Sequence, residues 1–153
     1  MIENIIFRKM KCLFPGSFDP FTLGHKSIVD RVLPIADEVV IAIGVNAGKK
    51  SMFSLEERMA QIQKVYADEP RVKVASYEGL TTDFAESIGA TVMVRGVRTA
   101  QDFEFERTLA DVNRQLTGIE TILLITEPQY SAISSSVVRE LISYGKDVKE
   151  FLP

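Results

Sequence analysis

The sequence predicts an α/β fold in which a five-stranded parallel sheet is covered by helices on both faces. Five short apolar segments rich in β-branched residues alternate with segments whose apolar residues recur at helical spacing. The segment VVIAIGV, residues 39–45, is apolar throughout, as expected of a strand that is buried on both faces. Short loops join the segments, so each strand–helix–strand unit is expected to be a right-handed crossover between parallel strands.

The predicted elements follow one another in strict alternation. We expect strands over residues 11–15, 38–45, 71–77, 91–94 and 121–126. Helices are expected over about residues 24–36, from about 54 to 66, up to 88 from a cap at Thr81 or Thr82, over about 100–116, and over 134–144. A last helical turn is expected within residues 147–152. This order is that of a Rossmann-like, doubly wound sheet, and we expect residues 1–153 to form a single domain.

Apolar spacing also predicts which side of each helix faces the core. In the second helix, Ser54 and Glu57 are spaced as a capping box, with Ser54 at the N-cap. The residues expected to face the core are Leu55, Met59, Ile62 and Tyr66 in the second helix, Phe105, Leu109, Val112 and Leu116 in the fourth, and Val137, Leu141 and Tyr144 in the fifth.

Composition limits the classes of protein that fit. A net charge of −3 and a pI near 5.3 argue against a general nucleic-acid binder, which needs a basic face. No apolar run is long enough to span a bilayer, and the N-terminus does not resemble a secretory signal, so we expect a cytoplasmic protein without membrane contact. Met10 is a second candidate start, which makes residues 1–9 an expected optional extension. The single cysteine, Cys12, excludes an internal disulfide and is expected to be a buried, inert thiol.

The unusual polar residues of the chain lie where the predicted strands end. In doubly wound sheets, ligands bind beyond the carboxyl ends of the strands. The segments that follow those ends are residues 16–19, 46–50, 78–81, 95–98 and 127–136. Since these segments meet at one edge of the sheet, the sequence predicts a single ligand site there.

The first strand leads into the segment FPGSFDPFTLGH, residues 14–25, and a helix is expected to begin at the end of this segment. Such a loop directs backbone N–H groups and the positive end of a helix at one point, which suits a phosphate. His25, the only histidine, lies in the first helical turn, where its imidazole would donate to the bound anion. Gly24 removes a side chain where a ligand could approach the backbone. The alternative is a structural histidine satisfied by its own neighbours.

Two lysines, Lys49 and Lys50, follow the second strand. The surrounding segment lacks the spacing of a P-loop, because three residues rather than four separate Gly44 and Gly48. Solvated lysines are the simple alternative. Their place at the ligand edge favours a phosphate contact by one of the two.

Arg95 and Arg98 flank Gly96 at the predicted end of the fourth strand. An arginine beside an apolar strand is costly unless it is paired, so a carboxylate or a ligand anion must satisfy it. Glu104 and Glu106 are the possible protein partners. Glu106, at the border of its helix's core stripe, could also accept from an amine or a ribose hydroxyl.

The segment YSAISSS, residues 130–136, precedes the last helix. One of its serines is expected to cap the helix, and the run as a whole predicts a second cradle for phosphate. No general base stands beside these serines in the sequence, so we expect them to bind rather than attack. Two phosphate-type helix starts and three cationic sites together predict group transfer from a nucleoside triphosphate, with magnesium carried by that triphosphate.

Four segments in order resemble the bacterial phosphopantetheine adenylyltransferases, a family of the nucleotidyltransferase superfamily with a His/Thr-x-Gly-His signature. They are PGSFDPFTLGH at residues 15–25, KKSMFSLEER at 49–58, VRGVR with DFEFE within 94–106, and ISSS at 133–136. The resemblance covers the chain from about residue 11 to its end. It implies transfer of the adenylyl group of ATP to 4′-phosphopantetheine, giving dephospho-coenzyme A and pyrophosphate, by in-line attack on the α-phosphorus without a covalent enzyme intermediate.

The resemblance also implies roles for individual residues. The implied catalytic residues are His25 on the α-phosphate, Ser17 and Lys49 on the attacking phosphate, and Arg98 on the ATP phosphates. Phosphopantetheine would contact Ser17, Lys49, Thr81 and Arg95. ATP would contact Ser17, Phe18, His25, Gly96, Val97, Arg98, Glu106, Tyr130, Ser131, Ala132, Ile133, Ser134, Ser135 and Ser136.

The resemblance further implies a magnesium ion, a homohexamer, and dephospho-coenzyme A or coenzyme A as product or feedback ligand. Two alternatives remain open at this stage. One is a relative with another substrate, such as a cytidylyltransferase or a pyridine-nucleotide adenylyltransferase, and the other is a catalytically silent nucleotide sensor.

Overall fold

The computed structural model describes residues 8–153 and confirms the predicted α/β architecture. Its strands are β1 (Lys11–Gly16), β2 (Glu38–Val45), β3 (Val72–Glu78), β4 (Val92–Val97) and β5 (Glu120–Ile125). All neighbouring strands are parallel, in the order β3-β2-β1-β4-β5. The prediction that residues 1–9 are an optional extension concerns mostly residues 1–7, which lie outside the described part of the chain.

Helices follow each strand. They are α1 (Leu23–Val32), α2 (Leu55–Val65), α3 (Thr81–Ser87), α4 (Ala100–Thr117) and α5 (Ser135–Ser143), with 3-10 turns at Leu33–Ile35, Pro128–Tyr130 and Lys149–Phe151. The helices α1 and α2 pack on one face of the sheet, where Ile28 and Ile62 join the core. On the opposite face, Ala85 of α3 packs against Leu13 and Met93. The strand order reverses between β1 and β4, so the topological switch point, where such sheets bind ligands, lies at the carboxyl ends of these two strands.

The prediction that the apolar face of α4 packs in the core is wrong. Phe105, Leu109, Val112 and Leu116 are 62%, 38%, 46% and 64% exposed. The buried residue of this helix is Glu106, one position further along than Phe105. Spacing correctly indicates an apolar face, but it cannot tell whether the sheet of the same chain covers that face.

The helix α5 turns a different face to the core from the one predicted. Val138 is buried, whereas Val137 and Tyr144 are 45% and 75% exposed. Leu141 is half-buried. The adjacent Val137 and Val138 allow two helical phases, and packing selects the second.

Two boundaries also differ from the predictions. Neither Thr81 nor Thr82 caps α3: the N-cap is Leu80, and it makes no side-chain capping bond. Strand β4 continues to Val97, so Arg95 and Gly96 lie inside it, paired in register with β5. A charged residue after an apolar run resembles a strand end, but the ladder to β5 carries the strand past it.

Ser54 and Glu57 form the expected capping box. Cys12 is fully buried, and burial together with the nearby Asp37 raises the pKa of its thiol to about 11. No helix within residues 8–153 is both long and apolar enough to cross a membrane.

Candidate active site

The loop after β1 folds back so that Phe18 covers Gly16. A Cβ atom on Gly16 would lie 2.9 Å from the Phe18 ring, so only glycine fits there. Phe18 itself has a positive φ of 45°, which is uncommon for a residue other than glycine. Its ring is buried, and Ser17 is exposed beside it. The turn therefore presents Ser17 and the loop backbone to the edge of the sheet.

Thr22 and His25 form a capping box at the start of α1. The Thr22 hydroxyl accepts from the backbone N–H of His25 at 3.4 Å, and Nδ1 of His25 accepts from the backbone N–H of Thr22 at 3.0 Å. An accepting Nδ1 places the proton of the neutral ring on Nε2. Since the histidine lines the cleft described below, Nε2–H is its available donor. The spacing of three positions from Thr22 to His25 is thus that of a capping box, with Thr22 at the N-cap and His25 at N3.

His25 is held in a set of aromatic rings. Its ring lies 5.0 Å from that of Phe18, edge-on, and 5.5 Å from that of Phe21, stacked. Burial, and after it the positive charges of Arg95 and Arg98, lower the pKa of His25 to about 3. At neutral pH the residue is therefore an uncharged hydrogen-bond donor.

The pKa of His25 predicts an acid dependence of stability. The folded protein keeps His25 neutral down to about pH 3, whereas the unfolded chain protonates it below about pH 6.5. Stability from this site is therefore complete above pH 6.5 and is lost as the pH falls toward 3, by at most about 1.4 kcal/mol per pH unit. Denaturant unfolding at pH 7 and pH 4.5 should show a larger loss for wild type than for the His25→Asn variant. Equal losses would contradict the buried neutral histidine.

The segment that carries Lys49 is fixed to the loop after β1 by two charged residues. Asp19 accepts from the backbone N–H groups of Met52 and Phe53 at 2.8 and 2.9 Å. Arg58, which is buried, donates from Nη1 to the carbonyl of Ser17 at 2.8 Å. The similarity between residues 49–58 and the family pattern therefore has a structural cause, because this segment determines where Lys49 lies relative to Ser17.

Arg95 is paired with Glu106, one of the two carboxylates predicted as its possible protein partners. Its Nε and Nη2 donate to the two carboxylate oxygens at 2.9 and 2.7 Å, and Nη1 donates to the carbonyl of Pro15 at 2.6 Å. Glu104 is exposed and lies nearest to Arg107. A guanidinium has five N–H groups, so two of those on Arg95 remain for a ligand. Glu106 fixes Arg95 without using all of its donors.

Arg98 and the start of α5 approach the cleft from the other side. The Arg98 guanidinium lies 3.6 Å from Asp102 and donates to the carbonyl of Ile133 at 3.4 Å. Ser134 caps α5 through Val137 N–H. Ser135 donates to the carbonyl of Pro20 at 2.8 Å.

Arg139 connects α5 to the loop after β1. It donates to Ser136 Oγ at 3.2 Å and to the carbonyl of Asp19 at 2.8 Å. All three serine hydroxyls of residues 134–136 thus have partners within the protein. Ser134 and Ser136 act only as acceptors in these bonds, so their O–H groups remain donors for an anion at this helix start, together with the first N–H groups of α5.

These elements enclose a cleft of about 330 Å³ at the carboxyl ends of β1 and β4. Twelve predicted site residues line it: Ser17, Phe18, His25, Lys49, Arg95, Gly96, Arg98, Glu106, Ile133, Ser134, Ser135 and Ser136. Lys50 does not line it, which distinguishes the two lysines. Gly96 serves packing as well, because a Cβ there would lie 3.1 Å from Ile28.

Five predicted site residues lie outside the cleft wall. Val97 is buried, and Tyr130 lines a separate cavity between α1 and α2. Ser131 and Ala132 are exposed. Thr81 lies in a neighbouring groove of about 430 Å³, which shares Pro15, Gly16, Arg95 and Glu106 with the cleft.

Sequence reasoning missed several residues of the site. Asp102, Thr126 and Arg139 line the cleft, and Asp19 and Arg58 support it. Asp19 lies inside the phosphate-type loop and could have been found there. Arg58 is the last residue of the segment 49–58 that carries the family resemblance and could have been found there, whereas Arg139 resembles an ordinary solvated helix charge.

The charge of the cleft suits an anion rather than a bare metal ion. Lys49, Arg95, Arg98 and Arg139 line it, and its carboxylates, Asp102 and Glu106, lie beside arginines. Within residues 8–153, no group of three or more His, Cys, Asp or Glu side chains is placed to hold a metal. The site can therefore bind and position phosphates through cations, helix N-termini and a neutral imidazole N–H.

The fold and cleft define a nucleotide-binding α/β protein of the nucleotidyltransferase class, and residues 13–141 match the family model described as cytidylyltransferase-like. The chain is 55% identical over 143 residues to the phosphopantetheine adenylyltransferase of Bacteroides fragilis, covering 94% of this chain and 95% of that protein. It is 57% identical over 143 residues to that of Phocaeicola vulgatus, with the same coverage. The chain therefore belongs to the phosphopantetheine adenylyltransferase family.

Solved structures support the fold. A bifunctional NMN adenylyltransferase/ADP ribose pyrophosphatase from Francisella tularensis matches with a TM-score of 0.74 at 15% identity, covering 95% of this chain and 45% of that one. A lipopolysaccharide core biosynthesis protein from Thermoplasma volcanium matches with a TM-score of 0.56 at 20% identity, covering 78% of this chain and 98% of that one. At such identities the matches concern the architecture alone.

Proposed function

We propose that this protein transfers the adenylyl group of ATP to 4′-phosphopantetheine, producing dephospho-coenzyme A and pyrophosphate. The observation that carries the proposal is the convergence of Lys49, Arg95 and Arg98 around the neutral His25 in one cleft. Family membership supplies the identity of the two substrates, and the cleft supplies the chemistry. Both phosphate-bearing substrates need cationic donors that are already in place before reaction.

The residues of the cleft favour direct attack by the acceptor phosphate. Nδ1 of His25 is engaged by Thr22, so this histidine cannot serve as a base for a serine. Ser135 donates its hydroxyl to the carbonyl of Pro20, whereas Ser134 and Ser136 only accept, so none of the three donates to a protein base among the described residues. We therefore propose that Nε2–H of His25 donates to an α-phosphate oxygen and stabilises the charge that develops there, while Ser17 and Lys49 orient the attacking phosphate.

The groove beside the cleft suits the pantetheine arm of the acceptor. It runs between α3 and α4 and is lined mainly by apolar residues, including Leu109 and Val112, with Thr81 and Asn113 as polar groups. Arg95 lies at its junction with the cleft and has two N–H groups free of protein partners. We propose that these groups bind the acceptor phosphate and that the arm extends along the groove past Thr81.

The nucleotide would occupy the opposite side of the cleft. We propose that Arg98 and the N–H groups at the start of α5 hold the β- and γ-phosphates. Gly96 and Ile133 line the wall available to the nucleoside. Val97, Glu106 and the segment 130–132 stay predictions as ATP contacts, and for Glu106 the bidentate pair with Arg95 favours a supporting role.

Magnesium is proposed as the companion of ATP. The cationic lining offers no carboxylate set for the ion itself, so phosphate oxygens and water would complete its shell. When bound in this way, the ion supplies neutralisation of triphosphate charge.

Assembly and location are proposals of the same kind. Phe105, which is 62% exposed on α4 and lies outside the lining of the groove given to the pantetheine arm, supports contact with further copies of the chain. We propose a homohexamer in the cytoplasm, with dephospho-coenzyme A or coenzyme A as a feedback ligand of the same cleft.

A substrate panel tests the proposed function. Pyrophosphate release should occur with ATP and 4′-phosphopantetheine and should be slower by about 100-fold or more with CTP and an alcohol phosphate. Preference for the CTP pair would replace the proposal with a cytidylyltransferase. Nucleotide binding without turnover for any acceptor would replace it with a nucleotide sensor.

A further inference from the structure

A further, smaller cavity lies beside the segment that carries Lys49 and Lys50. Its volume is about 140 Å³, and four cationic side chains line it: Lys49, Lys50, Arg58 and Arg139. Asp19 is the only acidic residue among the described lining residues. Both of its carboxylate oxygens accept from backbone N–H groups, of Met52 and Phe53. The cavity, which we call the Lys50 cavity, is therefore strongly cationic.

Arg58 gives this cavity a buried donor. The side chain belongs to a residue that is only 6% exposed, and its Nε and Nη1 donate to the carbonyls of Ser54 and Ser17. Its Nη2 has no hydrogen-bond acceptor among residues 8–153, and none of the four cations has a carboxylate within 4.0 Å there. Four cations without a carboxylate partner attract an anion, and their N–H groups can hold it by charge-assisted hydrogen bonds.

Size and position restrict the anion. The volume is below the roughly 300 Å³ at which pockets for drug-sized ligands begin, so the cavity has no room for a nucleoside. It shares Ser17, Lys49 and Arg139 with the catalytic cleft. Arg139 also contacts Ser136 at the start of α5, where the proposed function places the β- and γ-phosphates. Arg139 therefore connects the start of α5 to the Lys50 cavity, and an anion that leaves the start of α5 can move along it into the cavity.

We propose that the Lys50 cavity is a product subsite for inorganic pyrophosphate, an inference that rests on the proposed adenylyl transfer. In that reaction an acceptor phosphate oxygen forms a bond to the α-phosphorus of ATP. The bond between the α-phosphorus and the bridging oxygen breaks, and pyrophosphate leaves with the electron pair. The subsite receives this polyanion on Lys50 and Arg58, which do not line the catalytic cleft, together with Lys49 and Arg139, which line both.

Calorimetric titration of inorganic pyrophosphate into the full chain tests the subsite, with the cleft filled by α,β-methylene-ATP. Wild type should bind pyrophosphate, and Lys50→Gln should weaken the affinity by about fivefold or more. The matched control is Lys73→Gln, the same charge change at an exposed position of β3, which should change the affinity less than twofold. Orthophosphate should bind at least about tenfold more weakly than pyrophosphate.

Several results would overturn the subsite. They are absence of pyrophosphate binding to the nucleotide-loaded protein, equal effects of the two lysine variants, equal affinity for orthophosphate, or loss of binding in Arg95→Lys but not in Lys50→Gln. The last would place the anion in the acceptor's phosphate site. Because the titration needs no turnover, it can fail while the substrate panel succeeds, and the reverse also holds.

Discussion

Replacement of His25 by asparagine is expected to lower kcat by about 100- to 1,000-fold, as loss of one preorganised donor to a developing charge does elsewhere. Asparagine keeps an oxygen near the position of Nδ1, so it can still accept from the backbone N–H of Thr22 and close the cap. It has no group at the position of Nε2. Steady-state kinetics measures the effect, and thermal unfolding should show a stability loss of only about 1–2 kcal/mol.

Glutamine is the matched control at this position. Its amide nitrogen reaches about as far as Nε2, so His25→Gln should recover part of the lost turnover. Alanine is a less informative choice, because it also removes the ring that packs against Phe18 and Phe21. Turnover within tenfold of wild type in His25→Asn would show that the N–H of this histidine has no role in the chemical step.

Replacement of Glu106 by alanine is expected to cost about 3 kcal/mol of folding stability and to raise KM for the acceptor. The carboxylate is buried and accepts from two N–H groups of Arg95, so its loss leaves a half-buried guanidinium without those acceptors. Urea unfolding measures the first effect. Initial rates at varied phosphopantetheine concentration measure the second, since a displaced Arg95 no longer holds the acceptor phosphate.

Glu104 provides the control for this prediction. It lies on the same helix, its side chain is 69% exposed, and its nearest cation is Arg107 at 3.7 Å. An exposed pair of this kind contributes at most about 0.5 kcal/mol, so Glu104→Ala should unfold almost as wild type does. If Glu106→Ala were equally stable, the pair with Arg95 would not be the support that the site requires.

The architecture could be predicted from the sequence because its signals are local. Apolar β-branched segments define the strands, and the alternation of strands with helices leaves few topologies for a parallel sheet. The spacing of Ser54 and Glu57 alone identifies a cap. The edge at which ligands bind follows from topology, which brings residues 16–19, 46–50, 95–98 and 127–136 together, whereas the roles of individual residues came from the family resemblance.

What the sequence could not show depends on contacts between distant segments. Arg58 supports Ser17 across 41 positions, and Arg139 supports Asp19 across 120, yet both have the spacing of surface charges. The stripe of α4 shows the opposite error, because its apolar spacing is genuine but the sheet of this chain does not cover it. In both cases the tertiary partner, which local spacing does not encode, determines the environment.

The choice between partners for Arg95 was also beyond the sequence. Glu104 and Glu106 lie two positions apart, and either could reach the strand. The register of α4 on β4 buries Glu106 and exposes Glu104. A shift of two residues in helical phase would bring Glu104 to the position of Glu106.

We propose that the cleft joins ATP to 4′-phosphopantetheine in one direct displacement, and the configuration at the α-phosphorus distinguishes this reaction from a two-step transfer. A single diastereomer of ATP that carries sulfur on the α-phosphate should react with 4′-phosphopantetheine to give a thio-analogue of dephospho-coenzyme A. Phosphorus NMR of that product should show inversion at the α-phosphorus. Retention would require a covalent enzyme intermediate and would contradict the account, as would the absence of this product under conditions in which the natural ATP is consumed.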